Sequence, residues 1–167
     1  MAAYSTELDN GVVSEFKYLL DDVSARINAA GTAVKAYHFP SLPDYTGLSY
    51  DAQRATLSRL RIYRDTLLDC LASGADLKNN ARSLWSAIKT FGYSHNNDLF
   101  NYLQDDDAIE VYTMEGIQIW RNLRVLEVCS YTLEEILCYD WVSRYERDDS
   151  VTQNILKAIG TMQGMSK

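Results

Sequence analysis

Residues 108–122, AIEVYTMEGIQIWRN, constrain the fold more than any other stretch of this chain. Ile109 and Val111 alternate with polar neighbours, Ile117 and Ile119 do so again, and Met114, Glu115 and Gly116 separate the two runs. Side chains alternate with period two only on an extended strand, and a glycine-containing break between two such runs reverses the chain. The pattern predicts a β-hairpin. By alternation Ile109 and Val111 share a face, as do Ile117 and Ile119, with Tyr112 and Trp120 on the opposite side. A lone hairpin is marginal in water, so helices or a second chain must shield it.

Almost everything before residue 105 has helical periodicity instead. From Val13, the positions Phe16, Leu19, Leu20, Val23 and Ile27 mark one amphipathic helix, with Gly31 as its stop. Residues 37–47 carry both prolines of the chain and read as a connector that helix cannot cross. A longer helix starts near Ser49, with Asp51 in its first turn and an apolar seam at Leu57, Leu60, Tyr63 or Arg64, Leu67 and Leu71; Ser73 and Gly74 close it. Such a seam packs inside a bundle or, if sustained, in a coiled-coil dimer. Leu77, Ala81, Leu84, Trp85, Ile88 and Phe91 form the next stripe, ended by Gly92, and a short helix over residues 98–103 is capped by Asn96 or Asn97. Four such helices cover their apolar sides best as a small bundle.

After the hairpin, Thr132 followed by Glu135 is a capping box that starts a helix at Leu133. Ser150 and Gln153 repeat the signature before Val151, Ile155, Leu156 and Ile159, with Gly160 as the expected end. The strand-turn-strand at 108–122, the Y-T-x-E-E-I-L at 131–137, and Trp141 with Asp148 and Asp149 together resemble the first half of a PAS domain, over about residues 106–160. That resemblance implies a sensory and dimerisation module. A complete PAS fold has a five-stranded antiparallel sheet whose last three strands follow the helices. Here only residues 161–167 follow Gly160. The expectation is therefore a fragment of a longer protein, or a hairpin that packs on the bundle or on a second copy. The expected fold class is mainly α (α+β): an N-terminal helical bundle over residues 1–104, then a hairpin-plus-helix segment over 105–167 resembling an incomplete PAS fold. Asp105, Asp106 and Asp107 make the joint.

Composition narrows the function. A formal net charge of -7 opposes a phosphate backbone, and the densest basic stretch, Arg54, Arg59, Arg61 and Arg64, reads as the solvated side of a helix, so nucleic acid is not an expected partner. No run of 18 apolar residues exists to span a bilayer, and the first residues lack a signal-peptide pattern. Three cysteines, Cys70, Cys129 and Cys138, are an odd set without CxxC spacing, which favours free thiols in a reducing compartment. The expected location is the cytoplasm.

Chemistry-bearing patterns are sparse. His38 and His95 lack a second ligand at helical spacing, and the acids at 105–107 lack the spacing and turn glycine of an EF-hand, so no metal is expected. Glu134 with Glu135, and Glu146 with Asp148, read as helix-surface acids and caps rather than an acid-base pair. There is no GxSxG, phosphate-binding glycine loop or HExxH. Neither Cys129 nor Cys138 sits in the flavin-cysteine motif of light-sensing PAS relatives, and no histidine falls in the PAS-like stretch to hold haem. No cofactor is expected. The sequence points to a non-enzymatic signalling or regulatory module that works by self-association as a homodimer or by binding a regulatory protein. Its candidate residues are Ile109, Val111, Ile117, Ile119 and Trp120 on the hairpin and Leu60, Leu67 and Leu71 on the long helix. The rival expectation is a sensor that binds a small apolar ligand in a cavity between hairpin and helices.

Overall fold

The computed structural model of the chain describes residues 2–74, 76–94, 98–113, 118–139 and 148–165, and at residues 2–10, 155, 159 and 162–165 the backbone alone. The fold is mainly α, with one two-stranded antiparallel hairpin. Met114, Glu115, Gly116 and Ile117, the expected turn and one candidate residue, lie outside the described residues, as do His95, Asn96, Asn97, Trp141 and Glu146.

Helix α1 runs Ala2–Ala29, so it begins well before Val13. The apolar stripe marks where the helix meets the core, not where it starts. No proline interrupts residues 2–12, and a single glycine is too weak a breaker to stop a helix there. Phe16, Leu19, Leu20, Val23 and Ile27 are all buried, and Gly31, at φ +86°, turns the chain away. Within the connector, Pro43 opens a one-turn helix, α2 (Pro43–Thr46), where its missing N–H costs nothing.

Helix α3 (Tyr50–Ala72) starts as expected: Ser49 Oγ accepts the N–H of Ala52 at 3.3 Å. Leu57, Leu60, Tyr63 and Leu67 are buried, but Leu71 is 42% exposed and Cys70 takes its place in the core. A straight helix repeats every 3.6 residues, so a strict seven-residue seam drifts round it. The buried face moves towards Thr66 and Cys70 and leaves Leu71 at its edge. Helix α4 (Asn80–Thr90) is capped by Asn79, whose Oδ1 accepts the N–H of Arg82 at 2.9 Å. Leu84 and Ala87 are buried there, while Trp85 is 46% exposed and meets Phe100 edge-on, with centroids 6.2 Å apart. The short helix expected over 98–103 is a single 3-10 turn, Leu99–Tyr102.

Strands β1 (Glu110–Tyr112) and β2 (Gln118–Arg121) pair Glu110 with Arg121, Val111 with Trp120 and Tyr112 with Gln118. Ile119 is thus the extra residue of a bulge. The bulge overturns the faces read from alternation. Trp120 stands opposite Val111, and cross-strand partners share a face. The polar side is Tyr112, Gln118 and Glu110, joined by bonds from Gln118 Nε2 to Glu110 Oε1 and from Tyr112 Oη to Glu110 Oε2.

Helices α5 (Leu123–Val128) and α6 (Leu133–Cys138) follow, α6 with both halves of the Thr132–Glu135 capping box. Helix α7 (Asp149–Met165) starts one residue ahead of Ser150 and runs through Gly160. Asp148 supplies the start: its Oδ1 accepts the N–H of Ser150 at 2.8 Å, and its carbonyl accepts from Val151 and Thr152. A lone helical glycine costs about 1 kcal/mol against alanine and does not end a helix unless the backbone turns left-handed. Buried residues from both sides of residue 105, among them Phe16, Leu60, Leu84, Trp120, Leu126 and Ile136, form one apolar cluster.

Candidate functional site

The hairpin meets the helices at a cleft between β2, α3 and α6. Leu60, Tyr63, Ile119, Trp120, Leu133 and Ile136 line it, so three of the candidate residues come together there. Tyr63 Oη donates to the carbonyl of Arg121 at 3.3 Å, and burial pushes its phenol up to about 12. The cleft encloses about 20 Å³, room for one water-sized molecule and far below the several hundred Å³ of a small-molecule pocket. Val111 lines a second, smaller space with Ile119 and Trp120 on one side and Ala87, Ile88 and Phe91 on the other. Ile109 is partly buried against the same core. Leu60 and Leu67 are buried within the chain, so of the α3 seam only Leu71 is open.

A buried pair of amides fixes the hairpin to the bundle. Asn122, 2% exposed, follows β2 and caps α5, its Oδ1 accepting the N–H of Val125 (3.2 Å) and of Ile109 (3.0 Å). Its Nδ2 donates to Asn80 Oδ1 (2.6 Å) and to the carbonyl of Asp107 (2.7 Å). Asn80 Nδ2, at the start of α4, reaches the carbonyls of Gln104 (2.8 Å), Asp105 (3.2 Å) and Asp107 (3.1 Å). The acidic segment expected to be a joint is therefore held at its backbone, with Asp105 and Asp106 exposed and Asp107 Oδ2 accepting the N–H of Gln104 at 2.8 Å.

At the opposite corner Glu134 is 2% exposed, which corrects its reading as a helix-surface acid. Its Oε1 accepts the N–H of Asp44 (3.0 Å) and of Tyr45 (3.2 Å), the first turn of α2, where Leu42 provides no side-chain cap. Burial raises the Glu134 carboxyl above its ordinary range, although the two amides oppose that. Glu135 is the surface acid and cap, with Oε2 accepting from Thr132 N–H at 2.7 Å.

Large apolar side chains open to solvent lie elsewhere. On α7 Val151 is 47% and Leu156 50% exposed. Around α4 and the 3-10 turn, Trp85, Tyr93, Leu99 and Tyr102 are exposed as well. Among the described residues no three His, Cys, Asp or Glu side chains are placed to hold a metal ion, and no helix is long and apolar enough to cross a membrane. Cys70 is buried, and burial raises its thiol, which opposes thiolate reactivity.

No family model, curated protein or solved structure matches this chain. Three residues central to the arrangement, Asn80, Asn122 and Glu134, escaped sequence reasoning. A capping-type residue directly before Leu123 was the available signal for Asn122. The capping-box spacing from Thr132 singled out Glu135 in the sequence, but no local pattern marked Glu134 as buried.

Proposed function

We propose that this chain is a non-enzymatic regulatory module of cytoplasmic signalling, acting by association with a second copy of itself or with a partner protein. The observation that carries the reading is the exposure of Val151 and Leu156 on α7, a helix of 17 residues whose described side chains are mostly open. Helices of this length form stably in water chiefly when an apolar face is covered. The exposed aromatic residues beside α4 add to it, since tyrosine and tryptophan are enriched where proteins meet. The order of hairpin, short helix and capped short helix supports kinship with PAS modules, which sense and dimerise. The net charge of -7 supports a protein partner over a nucleic acid.

Sedimentation velocity of the chain against a Val151→Lys/Leu156→Lys double variant tests the reading. Association through α7 gives a slower-sedimenting, smaller species for the variant with unchanged circular dichroism. Identical sedimentation of the two would remove α7 as the association surface.

A second reading, a sensor for a small apolar ligand, has a location in the apolar cleft between β2, α3 and α6. At about 20 Å³ that cleft must open to admit such a ligand. Native mass spectrometry of protein from its own host would reveal a bound compound, and a bare chain mass would discard this alternative.

A further inference from the structure

Two surfaces of this chain expose large apolar side chains amid charges of opposite sign. Arg82, Trp85 and Lys89 recur at three- and four-residue steps on α4 and all are exposed, so they form one outward stripe. Helix α4 contains no acid, in a chain whose net charge is -7. Trp85 meets Phe100 edge-on, which brings the 3-10 turn and its exposed Leu99 and Tyr102 alongside. The face is thus an aromatic centre flanked by two cations, with Asp98 as the acid before Leu99. Tryptophan, tyrosine and arginine are the residues that carry most of the energy where proteins bind.

Helix α7 carries the complementary order. Asp148 and Asp149 stand directly before Val151, and Lys157 directly after Leu156, all of them exposed. Acids therefore flank one apolar anchor and a cation the other, the reverse of the cations at Trp85 and the acid at Leu99. A helix of 17 residues is about 26 Å long, enough to lie across α4 and the 3-10 turn together. Both surfaces stay open within one chain, so α7 does not cover its own α4.

We propose that α7 of one copy docks on the α4 and 3-10 face of a second copy. Val151 and its acids lie against Trp85, Arg82 and Lys89, and Leu156 with Lys157 lies against Leu99 and Asp98. The inference rests on association through α7 and names the surface that receives it. Buried area favours this arrangement over α7 packing on α7. About a two-fold axis an α7–α4 contact occurs twice in a dimer and an α7–α7 contact once, and stable interfaces bury about 1,200–2,000 Å². The exchange also covers both sets of exposed side chains, whereas α7 on α7 leaves the aromatic face bare.

Sedimentation equilibrium of the full chain tests it with two variants. Val151→Lys/Leu156→Lys spoils the docking helix. Arg82→Glu/Lys89→Glu reverses the receiving face at the cost of one exposed bond, Arg82 Nη2 to the Ser73 carbonyl at 3.1 Å. Each variant alone should self-associate about tenfold more weakly than the wild type, or worse. Their equimolar mixture should regain species of two chains, because the first still offers its α4 face and the second its α7. If Arg82→Glu/Lys89→Glu associates like the wild type while Val151→Lys/Leu156→Lys does not, the receiving face is overturned and association through α7 stands. A mixture no stronger than its two components would also overturn the exchange. A wild type of one chain at every concentration would remove both readings. If circular dichroism shows Arg82→Glu/Lys89→Glu unfolded, Tyr102→Glu, at a side chain 77% exposed, takes its place. The same loss is expected there, and undiminished association would count against the proposal.

Discussion

Asn122 Nδ2 donates to Asn80 Oδ1 at 2.6 Å, across 42 residues of sequence and almost out of contact with water. Each amide also holds backbone from the 104–109 segment, so the pair fastens the end of β2, the start of α4 and the acidic turn in one network. Such a network is favourable only while every member is satisfied, because a stranded buried donor or acceptor costs about 1–3 kcal/mol. Asn122→Ala strands Asn80 Oδ1 and the Ile109 and Val125 amides together. Urea denaturation should show a loss of about 3 kcal/mol or more. In a double-mutant cycle with Asn80→Ala, the coupling should reach about 1 kcal/mol or above. Additive effects would mean the two amides act separately.

Trp120, 3% exposed opposite Val111, belongs to the core rather than to an outer face. Trp120→Ala should cost about 3–5 kcal/mol and Leu60→Ala about 2–5. Leu71→Ala, at the exposed edge of α3, should stay within about 0.5 kcal/mol of the wild type. Thermal melts of the three variants separate core from edge. A large loss at Leu71 would place that residue in an interface.

The long stripes and the helix starts at Ser49 and Thr132 were legible in the sequence because each depends on local spacing, whereas the caps at Asn79 and Asn122 were not read. The hairpin was legible for the same reason, but its faces were not. One inserted residue, Ile119, breaks the alternation, and period-two counting has no means of seeing a bulge. Gly160 misled because a glycine stops a helix only where the backbone turns left-handed, as at Gly31, Gly74 and Gly92. Asn80 and Glu134 were illegible because their partners lie at the turn of residues 104–107 and at α2, distances that only the tertiary fold closes.

Asp22 ties stability to pH. Its Oδ1 accepts from Arg26 Nε at 3.0 Å and its Oδ2 from Arg64 Nε at 2.8 Å, and the Arg26 bond first, then Arg64, holds the carboxyl below its ordinary 3.8. A depressed acid contributes stability that is present above its unfolded value and lost as pH falls through its folded one. Urea midpoints at neutral pH and below pH 3.8 should therefore drop further for the wild type than for Asp22→Asn. Equal drops would show that the α1–α3 ion pair contributes nothing to the acid limb.

The most direct measurement of the association reading is the mass of the purified chain by light scattering across a dilution series. Self-association predicts a mass approaching twice the 19.0 kDa of one chain, falling towards one chain on dilution. A mass of one chain at every concentration, with α7 still helical, would contradict it.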